Sequence, residues 1–448
     1  MSVTYCRDCY HLSMCTMAFE NRNNLGWWKY ASHRTYKGPS VVDGKTAAMF
    51  GFRSFASLAL ALGILHSVLA FDSTRKDNLA VYWGQDGAGS QQDLSFYCED
   101  DTINVIPLAF LYIFRGPGGD PVVDLGDQCA DWSSPVFSGT NLANCPSMAT
   151  QIKACQSKGK LVTLSLGGAT GQVGFSSDSQ AQTFADQIWN LFLGGSSSTR
   201  PFGSVILDGV DLDIESGTAA HYAAFVNRIR SHASGTSKKY YITAAPQCPY
   251  PDAFIGDALN AASFDAVYVQ FYNNYCGLDQ PSDYNFATWD NWAKTKSANK
   301  NIKVYIGAPG SPDAAGEGYV DATTLANYVK SAQQKYSSFG GVMLWDADSA
   351  YSNNRFDKAI KTAMVASAEQ LFPSEFSSTL ATSTHSSTVK HSSSTAQPKA
   401  TSLSPPTKSP HQSENPSNEL PHEILHKEPR DVELFDERRI TPSRLFRL

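Results

Sequence analysis

Three acidic residues alternate with apolar residues in one short stretch of the chain. The stretch reads Asp208-Gly209-Val210-Asp211-Leu212-Asp213-Ile214-Glu215. In an extended strand, successive side chains point to opposite faces, so Asp211, Asp213 and Glu215 share one side. Like charges at close range raise the pKa of at least one carboxyl group. A carboxylic acid that keeps its proton near neutral pH can protonate a poor leaving group, so the stretch predicts general acid catalysis.

The acidic stretch has two other interpretations. A solvated acidic edge is disfavoured because the interleaved residues are strongly apolar. A site for a hard cation would use the same carboxylates, but no second acidic cluster in the sequence supplies further ligands. We therefore expect no metal and no cofactor.

The elements around this stretch predict a barrel. Short β-branched and aromatic runs recur at residues 79–84, 103–112, 160–168, 209–215, 240–246, 266–273, 303–310 and 340–348. Segments with helical spacing separate most of them, for example residues 181–193 and 221–232. Strands that alternate with helices pair in parallel, and eight such units predict an α/β fold, the (β/α)8 TIM barrel. A doubly wound open sheet is the alternative fold, but no glycine-rich nucleotide-binding motif follows any of the strands.

The predicted barrel places the acidic row. Active sites in such barrels lie at the carboxyl ends of the strands. The three acids are therefore expected to line the inside of the fourth strand, with Glu215 nearest the rim and the apolar residues between them facing the helices.

Composition changes along the chain and predicts five segments. Residues 49–70 have the charged, apolar and small-residue parts of a secretory signal peptide, although an uncleaved signal anchor is an alternative. Translation is expected to start at Met49, which would make residues 1–48 an unstructured extension and a gene-model artefact. Residues 78–368 are the predicted catalytic barrel, residues 373–415 a Ser/Thr/Pro-rich linker or stalk, and residues 416–448 a charged, disordered tail.

The cysteines agree with secretion. Six of the nine follow the predicted signal peptide, at positions 98, 129, 145, 155, 248 and 276. An even number in a secreted protein predicts three disulfides, but six cysteines allow fifteen pairings, so the connectivity stays open at this point.

Charge and aromatic content bear on the partners. The net charge is -6, which gives no basic surface for nucleic acid. Aromatic residues make up 12% of the chain, which suits a ligand with flat apolar faces such as a sugar, although core packing explains most aromatics in any protein. No nucleic-acid partner and no stable membrane insertion after signal cleavage are expected, and the protein is expected to be a monomer.

Several motifs, in chain order, resemble glycoside hydrolase family 18, in particular the class III (hevamine-like) chitinases of plants and fungi. The acidic stretch at 208–215 resembles the family signature, and Ser165-Leu166-Gly167-Gly168 resembles its second motif. The other matching motifs are Tyr82-Trp83-Gly84-Gln85, Ala244-Ala245-Pro246-Gln247-Cys248, Gln270-Phe271-Tyr272-Asn273 and Gly341-Val342-Met343-Leu344-Trp345. The resemblance covers roughly residues 78–365.

The resemblance implies a role for each site residue. Glu215 would protonate the glycosidic oxygen, and the 2-acetamido carbonyl of the bound sugar would attack the anomeric carbon in place of a protein nucleophile. Asp213 would hydrogen-bond the acetamido N–H, and Asp211 would pair with Asp213 and share a proton with it. Tyr272 would donate its hydroxyl to the acetamido oxygen. The substrate-binding residues would be Tyr82, Gln85, Gln270 and Trp345.

The resemblance also implies the disulfides and the activity. The implied disulfide pairs are Cys98–Cys155, Cys129–Cys145 and Cys248–Cys276. The implied activity is that of a secreted or cell-wall-associated endochitinase that hydrolyses β-1,4-linked N-acetylglucosamine polymers with retention. Two alternatives remain open: a non-catalytic, lectin-like chitin-binding protein, and an endo-β-N-acetylglucosaminidase that acts on N-glycans.

Overall fold

The computed structural model describes residues 70–371 and the backbone of residues 19–21 and 24–26. The chain divides into two compact units, Met1–His66 and Ser67–Leu448. In the first unit, strands β1 (Phe19–Asn21) and β2 (Asn24–Gly26) form an antiparallel pair. The sequence predicted no regular structure over residues 1–48. The structure differs from that prediction only in this local pair of strands, which are separated by two residues. The predicted signal peptide (except residue 70), stalk and charged tail lie outside the described residues.

The second unit contains the predicted barrel. Its strands are β3 (Asn78–Val81), β4 (Val105–Ile113), β5 (Val122–Val123), β6 (Leu161–Gly167), β7 (Gly209–Asp213), β8 (Tyr241–Ala244), β9 (Ala266–Gln270), β10 (Lys303–Pro309) and β11 (Phe339–Trp345). All except β5 pair in parallel, and the pairing of β3 with β4 closes the circle. The barrel fold predicted from the sequence is confirmed. Strand β5 was not predicted, and it pairs antiparallel with β4 outside the circle.

Helices follow most of the barrel strands. They are α1 (Leu94–Tyr97), α2 (Met148–Ser157), α3 (Asp178–Phe192), α4 (Tyr222–Ala233), α5 (Gly256–Ala261), α6 (Phe286–Thr295), α7 (Ala322–Lys335), α8 (Ala347–Ser352) and α9 (Phe356–Leu371). Helices α3 and α4 correspond to the two helical segments predicted from spacing. Ser177 is the N-cap of α3, and its side chain accepts a hydrogen bond from the backbone N–H of Gln180.

Strand alternation produces an outer and an inner core. On β3, Leu79 and Val81 belong to the large cluster that packs between the barrel and the helices, whereas Ala80 and the following Tyr82 belong to a second cluster. The second cluster also contains Tyr268 and Tyr305. The barrel is therefore filled with side chains rather than open, and an acid that points inward is buried unless it lies near the end of its strand.

Three disulfides fix the chain around the barrel. Their pairs are Cys98–Cys155, Cys129–Cys145 and Cys248–Cys276, with sequence separations of 57, 16 and 28. These are the pairs that the resemblance implied. The second closes a loop between β5 and α2, and the third joins the segments that follow β8 and β9. Among the described residues, no helix has the length and hydropathy needed to cross a membrane.

Candidate active site

Strand β7 presents the acids as its alternation predicts. Val210 and Leu212 are fully buried in the outer core, and Asp211 and Asp213 are buried on the opposite face. The strand ends at Asp213, so Glu215 lies two residues beyond the strand, where it is partly exposed. We refer to Asp211, Asp213 and Glu215 as the acid stripe. It runs from the barrel interior to the rim, and only its outermost member reaches solvent.

Asp211 is held by three hydroxyl groups from three other strands or strand ends. Tyr82 and Ser165 each donate to Oδ2 at 2.7 Å, and Thr243 donates to Oδ1 at 2.6 Å. Burial raises the pKa of Asp211, and the three donors oppose that rise because they stabilise the charged form. The pairing of Asp211 with Asp213 that the resemblance implied is not among the hydrogen bonds of the described residues.

Asp213 and Glu215 form the acid pair of the site. The Gln270 side-chain amide donates to Asp213 Oδ1 at 2.9 Å and lies 3.5 Å from Glu215 Oε1. Burial, followed by the charges of Glu215 and Asp211, raises the pKa of Asp213 well above its ordinary value. Burial also raises the pKa of Glu215, against hydrogen bonds that lower it. Because both pKa values are raised and two neighbouring carboxyl groups disfavour being charged together, the pair favours holding a proton.

Two glycines let β6 approach the acid stripe closely. Gly167 has φ +117°, and a Cβ at this position would lie 2.1 Å from the carbonyl oxygen of Asp213. The next residue, Gly168, donates its backbone N–H to that same carbonyl at 2.8 Å. A Cβ at Gly168 would meet the ring of Phe110 at 2.8 Å. The motif Ser165-Leu166-Gly167-Gly168 thus supplies one donor to Asp211 and fixes the backbone that carries Asp213.

Tyr272 lies just beyond β9 and is 7% exposed. Burial and the nearby charges of Asp213 and Glu215 raise the pKa of its hydroxyl well above the ordinary value, so the hydroxyl remains a proton donor near the acid pair. Gly318 packs against this residue, since a Cβ there would lie 2.5 Å from the Tyr272 Cα.

Aromatic rings form the wall beside the acid stripe. Trp345 ends β11, is partly exposed, and stacks on Phe110 with ring centroids 5.7 Å apart and planes 20° apart. Tyr82 contacts the rings of both residues at 5.7 and 6.1 Å. Trp345, which the resemblance implied to be a substrate-binding residue, therefore offers a partly exposed indole at the carboxyl end of the barrel.

Tyr82 and Gln85, both predicted to contact sugar, are tied to the protein framework. Tyr82 is 1% exposed and its hydroxyl supports Asp211. The Gln85 side-chain amide donates to the backbone carbonyls of Ala109 at 2.9 Å and Asp124 at 3.0 Å, which fastens the segment after β3 to the segments carrying β4 and β5. Direct contact of either residue with sugar stays a prediction.

Several site residues received no role in the sequence analysis. Ser165 and Thr243 hold Asp211, Gln247 lies close enough to lower the pKa of Glu215, and Asp252 lies close enough to raise the pKa of both members of the acid pair. Thr243 occupies an inward position of β8 directly opposite Asp211 in the strand register, a signal that alternation could have provided. Within the described residues, no group of three or more His, Cys, Asp or Glu residues could hold a metal ion.

The barrel and its acid stripe define the class of protein. Residues 78–315 match the family of glycosyl hydrolases described as family 18, and the chain belongs to this family. The family resemblance stated from the motifs is confirmed.

The chain is similar to several fungal proteins. It is 49% identical over 312 residues to "Chitinase 2" of Rhizopus oligosporus, an alignment that covers 69% of this chain and 56% of that one. It is 45% identical over 285 residues to "Endochitinase" of Saccharomyces cerevisiae, which covers 63% and 49%. It is 42% identical over 327 residues to "Endochitinase 33" of Trichoderma harzianum, which covers 69% and 99%. The chain thus spans only about half the length of the first two relatives.

Solved structures with the same fold include proteins of different described activity. A chitinase from Ipomoea carnea has a TM-score of 0.56 and 33% identity, with 64% of this chain and 99% of that one covered. A xylanase and alpha-amylase inhibitor protein from Scadoxus multiflorus has a TM-score of 0.54 and 34% identity, with coverage of 63% and 97%. Because the fold is shared by an enzyme and an inhibitor, function has to be argued from the site.

Proposed function

We propose that residues 78–368 form the catalytic domain of a chitinase, an endo-acting enzyme that cleaves β-1,4 bonds between N-acetylglucosamine units with retention of configuration. The observation that carries the proposal is the acid stripe, in which a partly exposed Glu215 lies at the rim and a buried Asp213 lies just inside it, with the Gln270 amide within 3.5 Å of both. The names of the fungal relatives support the choice of substrate.

Proton transfer from Glu215 begins the proposed reaction. Burial raises its pKa, which favours the protonated form, and its position beyond the end of β7 makes it the member of the stripe that a polymer can reach. Glu215 gives its proton to the glycosidic oxygen as the bond from that oxygen to the anomeric carbon breaks. The released sugar chain leaves as an alcohol, and Glu215 is left as a carboxylate.

The sugar's own acetamido oxygen serves as the nucleophile in the second part of the proposal. It bonds to the anomeric carbon and forms a cyclic oxazolinium ion, which water opens while Glu215 takes back a proton. Holding the acetamido group in line is worth about 7–11 kcal/mol in favourable intramolecular cases. Asp213 accepts the acetamido N–H and faces the positive charge, while Tyr272 donates to the acetamido oxygen and Gln270 helps to position the group.

Asp211 has a supporting role in this scheme. Its three hydroxyl donors stabilise a buried negative charge below Asp213, and that charge favours the protonated form of its neighbour. Asp211 therefore helps to keep a proton on the acid pair before substrate arrives.

The lectin-like alternative is disfavoured because all members of the acid stripe, and Tyr272, are present, and burial and neighbouring groups shift their pKa values. The endo-β-N-acetylglucosaminidase alternative shares the same acid chemistry and differs in the sugar chain bound around it. Secretion remains part of the proposal, supported by three disulfides in the described domain, since such bonds persist in oxidising compartments.

Hydrolysis of chitin oligosaccharides by the wild type and by Glu215→Gln tests the proposal. Glutamine keeps the size of the side chain but has no acidic proton, so we expect product release to fall by at least about a hundredfold, with oligosaccharide binding retained. Undiminished turnover by Glu215→Gln would contradict the proton-donor assignment. A high-mannose glycoprotein, assayed in parallel, separates the two hydrolase candidates, and binding of chitin without any hydrolysis by the wild type would support the lectin-like one.

A further inference from the structure

The surface of the barrel carries two prominent exposed aromatic rings. Among residues 70–371, four large apolar side chains are exposed, and only Trp132 and Tyr275 of these are aromatic, at 62% and 64% exposure. Tryptophan and tyrosine are enriched at binding interfaces, because their rings combine a large apolar face with a polar group that can hydrogen-bond. Neither residue takes part in the proposed chemistry.

Trp132 lies on a constrained loop between β5 and α2. The Cys129–Cys145 disulfide closes this loop, and the Trp132 indole N–H donates to Asp124 Oδ2 at 3.3 Å. One edge of the ring is thereby fixed while most of the ring stays exposed. A ring held in this way loses little freedom when a ligand covers it.

The loop of Trp132 is connected directly to the aromatic wall of the active site. Asp124 exchanges two backbone hydrogen bonds with Phe110, at 2.8 and 2.9 Å, and Phe110 stacks on Trp345. The Gln85 side chain also donates to the Asp124 carbonyl. Asp124 therefore links Trp132 to Gln85 and, through Phe110, to Trp345, both of which are predicted sugar-binding residues.

Tyr275 occupies a corresponding place on the other side of the rim. It follows Asn274, whose side-chain amide lies 3.4 Å from the Tyr272 carbonyl and 3.5 Å from Gln247 Oε1. It precedes Cys276, which is bonded to Cys248. Tyr275 therefore also lies on a segment that is fixed by a disulfide and that contains Tyr272 of the proposed site.

The strand order places the segments that carry the two rings after strands on opposite sides of the barrel. Around the closed circle the strands run β3, β4, β6, β7, β8, β9, β10, β11. Trp132 follows β4 and its partner β5, and Tyr275 follows β9, four strands further round a circle of eight. Strand β7, which leads to the acid stripe, lies midway between them, and Tyr272 is on the same segment as Tyr275.

We propose that Trp132 and Tyr275 are the two outer stacking platforms for a long sugar chain that lies across the acid stripe. This inference rests on the proposed function and specifies its substrate as a polymer longer than the units at the cleavage point. Pyranose rings have apolar C–H faces that stack on indole and phenol rings, whereas their hydroxyl and acetamido groups stay in water. The platforms add affinity for an extended chain and leave the bond-breaking step unchanged.

Substrates of different length test the two platforms. The short probe is chitobiose with a fluorogenic leaving group, and the long probes are the N-acetylglucosamine hexamer and a soluble chitin. For Trp132→Ala and for Tyr275→Ala, we expect kcat/KM on the long probes to fall by about tenfold, equal to about 1.4 kcal/mol, through KM rather than kcat. The rate on the short probe should not change, and Trp132→Phe should recover most of the loss because the flat face is kept.

Val136→Ala is the matched control, because Val136 is 40% exposed in the same loop but has no ring. It should behave as the wild type on every probe. Equal rates of wild type and Trp132→Ala on the hexamer would overturn the proposal, as would an equal loss on the short and long probes, which would indicate a disturbed active site. If the wild type cleaves no probe, the proposed function fails by itself. The platforms are then judged by hexamer affinity, which the alanine variants must weaken by about tenfold.

Discussion

Replacing Thr243 by valine removes one of the three hydroxyl groups that donate to Asp211 and keeps the shape of the side chain. The hydroxyl lies 2.6 Å from Asp211 Oδ1, and both residues are buried inside the barrel. Thr163 provides a matched control on β6. It is also fully buried, but its hydroxyl has no hydrogen-bond partner within the described part of the chain. The same change, threonine to valine, therefore removes a donor to a buried acid at one position and an unpaired hydroxyl at the other.

The hydrogen bond at Asp211 sets the size of the expected effect. A hydrogen bond to a charged group contributes about 1.5–3 kcal/mol to stability. For domains slightly smaller than this barrel, 1 kcal/mol corresponds to about 2–4 °C in Tm, so Thr243→Val should lower Tm at pH 7 by about 3–12 °C. Thr163→Val should leave Tm unchanged or raise it, because an unpaired buried hydroxyl costs free energy in the native state.

The effect of Thr243→Val should depend on pH in a defined direction. Burial already raises the pKa of Asp211 in the folded state, and loss of a donor to the charged form raises it further. A raised folded pKa destabilises the protein only where the unfolded carboxyl is ionised, above about pH 4. The difference in the free energy of unfolding between Thr243→Val and the wild type should therefore be small near pH 4 and grow as the pH rises to 7.

Thermal unfolding followed by circular dichroism at pH 4 and pH 7, for wild type and both variants, measures these differences. Equal Tm values for the two variants at pH 7 would refute the role given to the hydroxyl. If Thr243→Val lowered Tm as much at pH 4 as at pH 7, the variant would have lost packing and not the stabilisation of a charge.

Three further predictions concern the backbone, the pH profile and a disulfide. Gly167→Ala should abolish most activity and lower Tm, because the new Cβ would lie 2.1 Å from the carbonyl oxygen of Asp213 in β7. Gly174 also has a positive φ, but a Cβ there would meet no atom within 4 Å, so Gly174→Ala should lower the free energy of unfolding by only about 1–2 kcal/mol, measured by thermal unfolding. Gln270→Leu removes a donor that lowers the pKa values of the acid pair, so the alkaline limb of its residual kcat/KM profile should move to higher pH; a shift to lower pH would contradict this assignment. Replacing Cys129 and Cys145 together by serine should cost about 3 kcal/mol in denaturant unfolding, as expected for a closed loop of 16 residues, and an unchanged midpoint would argue against that loop restraint.

Periodicity in the sequence was sufficient to predict the barrel and the direction of the acids. The apolar residues of β7 face the helices as predicted, since a period of two on a strand leaves only that choice once the barrel is closed. The rim position of Glu215 was also predictable in outline, although the strand ends at Asp213, two residues before Glu215.

The contacts that tune the acids could not be predicted in the same way. The hydroxyl group of Tyr82 meets Asp211 over a sequence separation of 129, which no local pattern encodes. The hydrogen bonds from the Gln85 amide to the carbonyls of Ala109 and Asp124 were not predicted from its motif, which implied a contact with sugar that stays a prediction. Such partners depend on strand register and side-chain rotamer, and both are settled by packing in three dimensions.

The configuration of the first product tests the proposed mechanism most directly. Proton NMR of the anomeric region, recorded during the first minutes of hydrolysis of the N-acetylglucosamine hexamer, reports the newly formed reducing end before mutarotation mixes the anomers. A mechanism in which Glu215 donates the proton and the acetamido group closes on its own ring predicts that the β anomer appears first. Initial release of the α anomer would contradict the account.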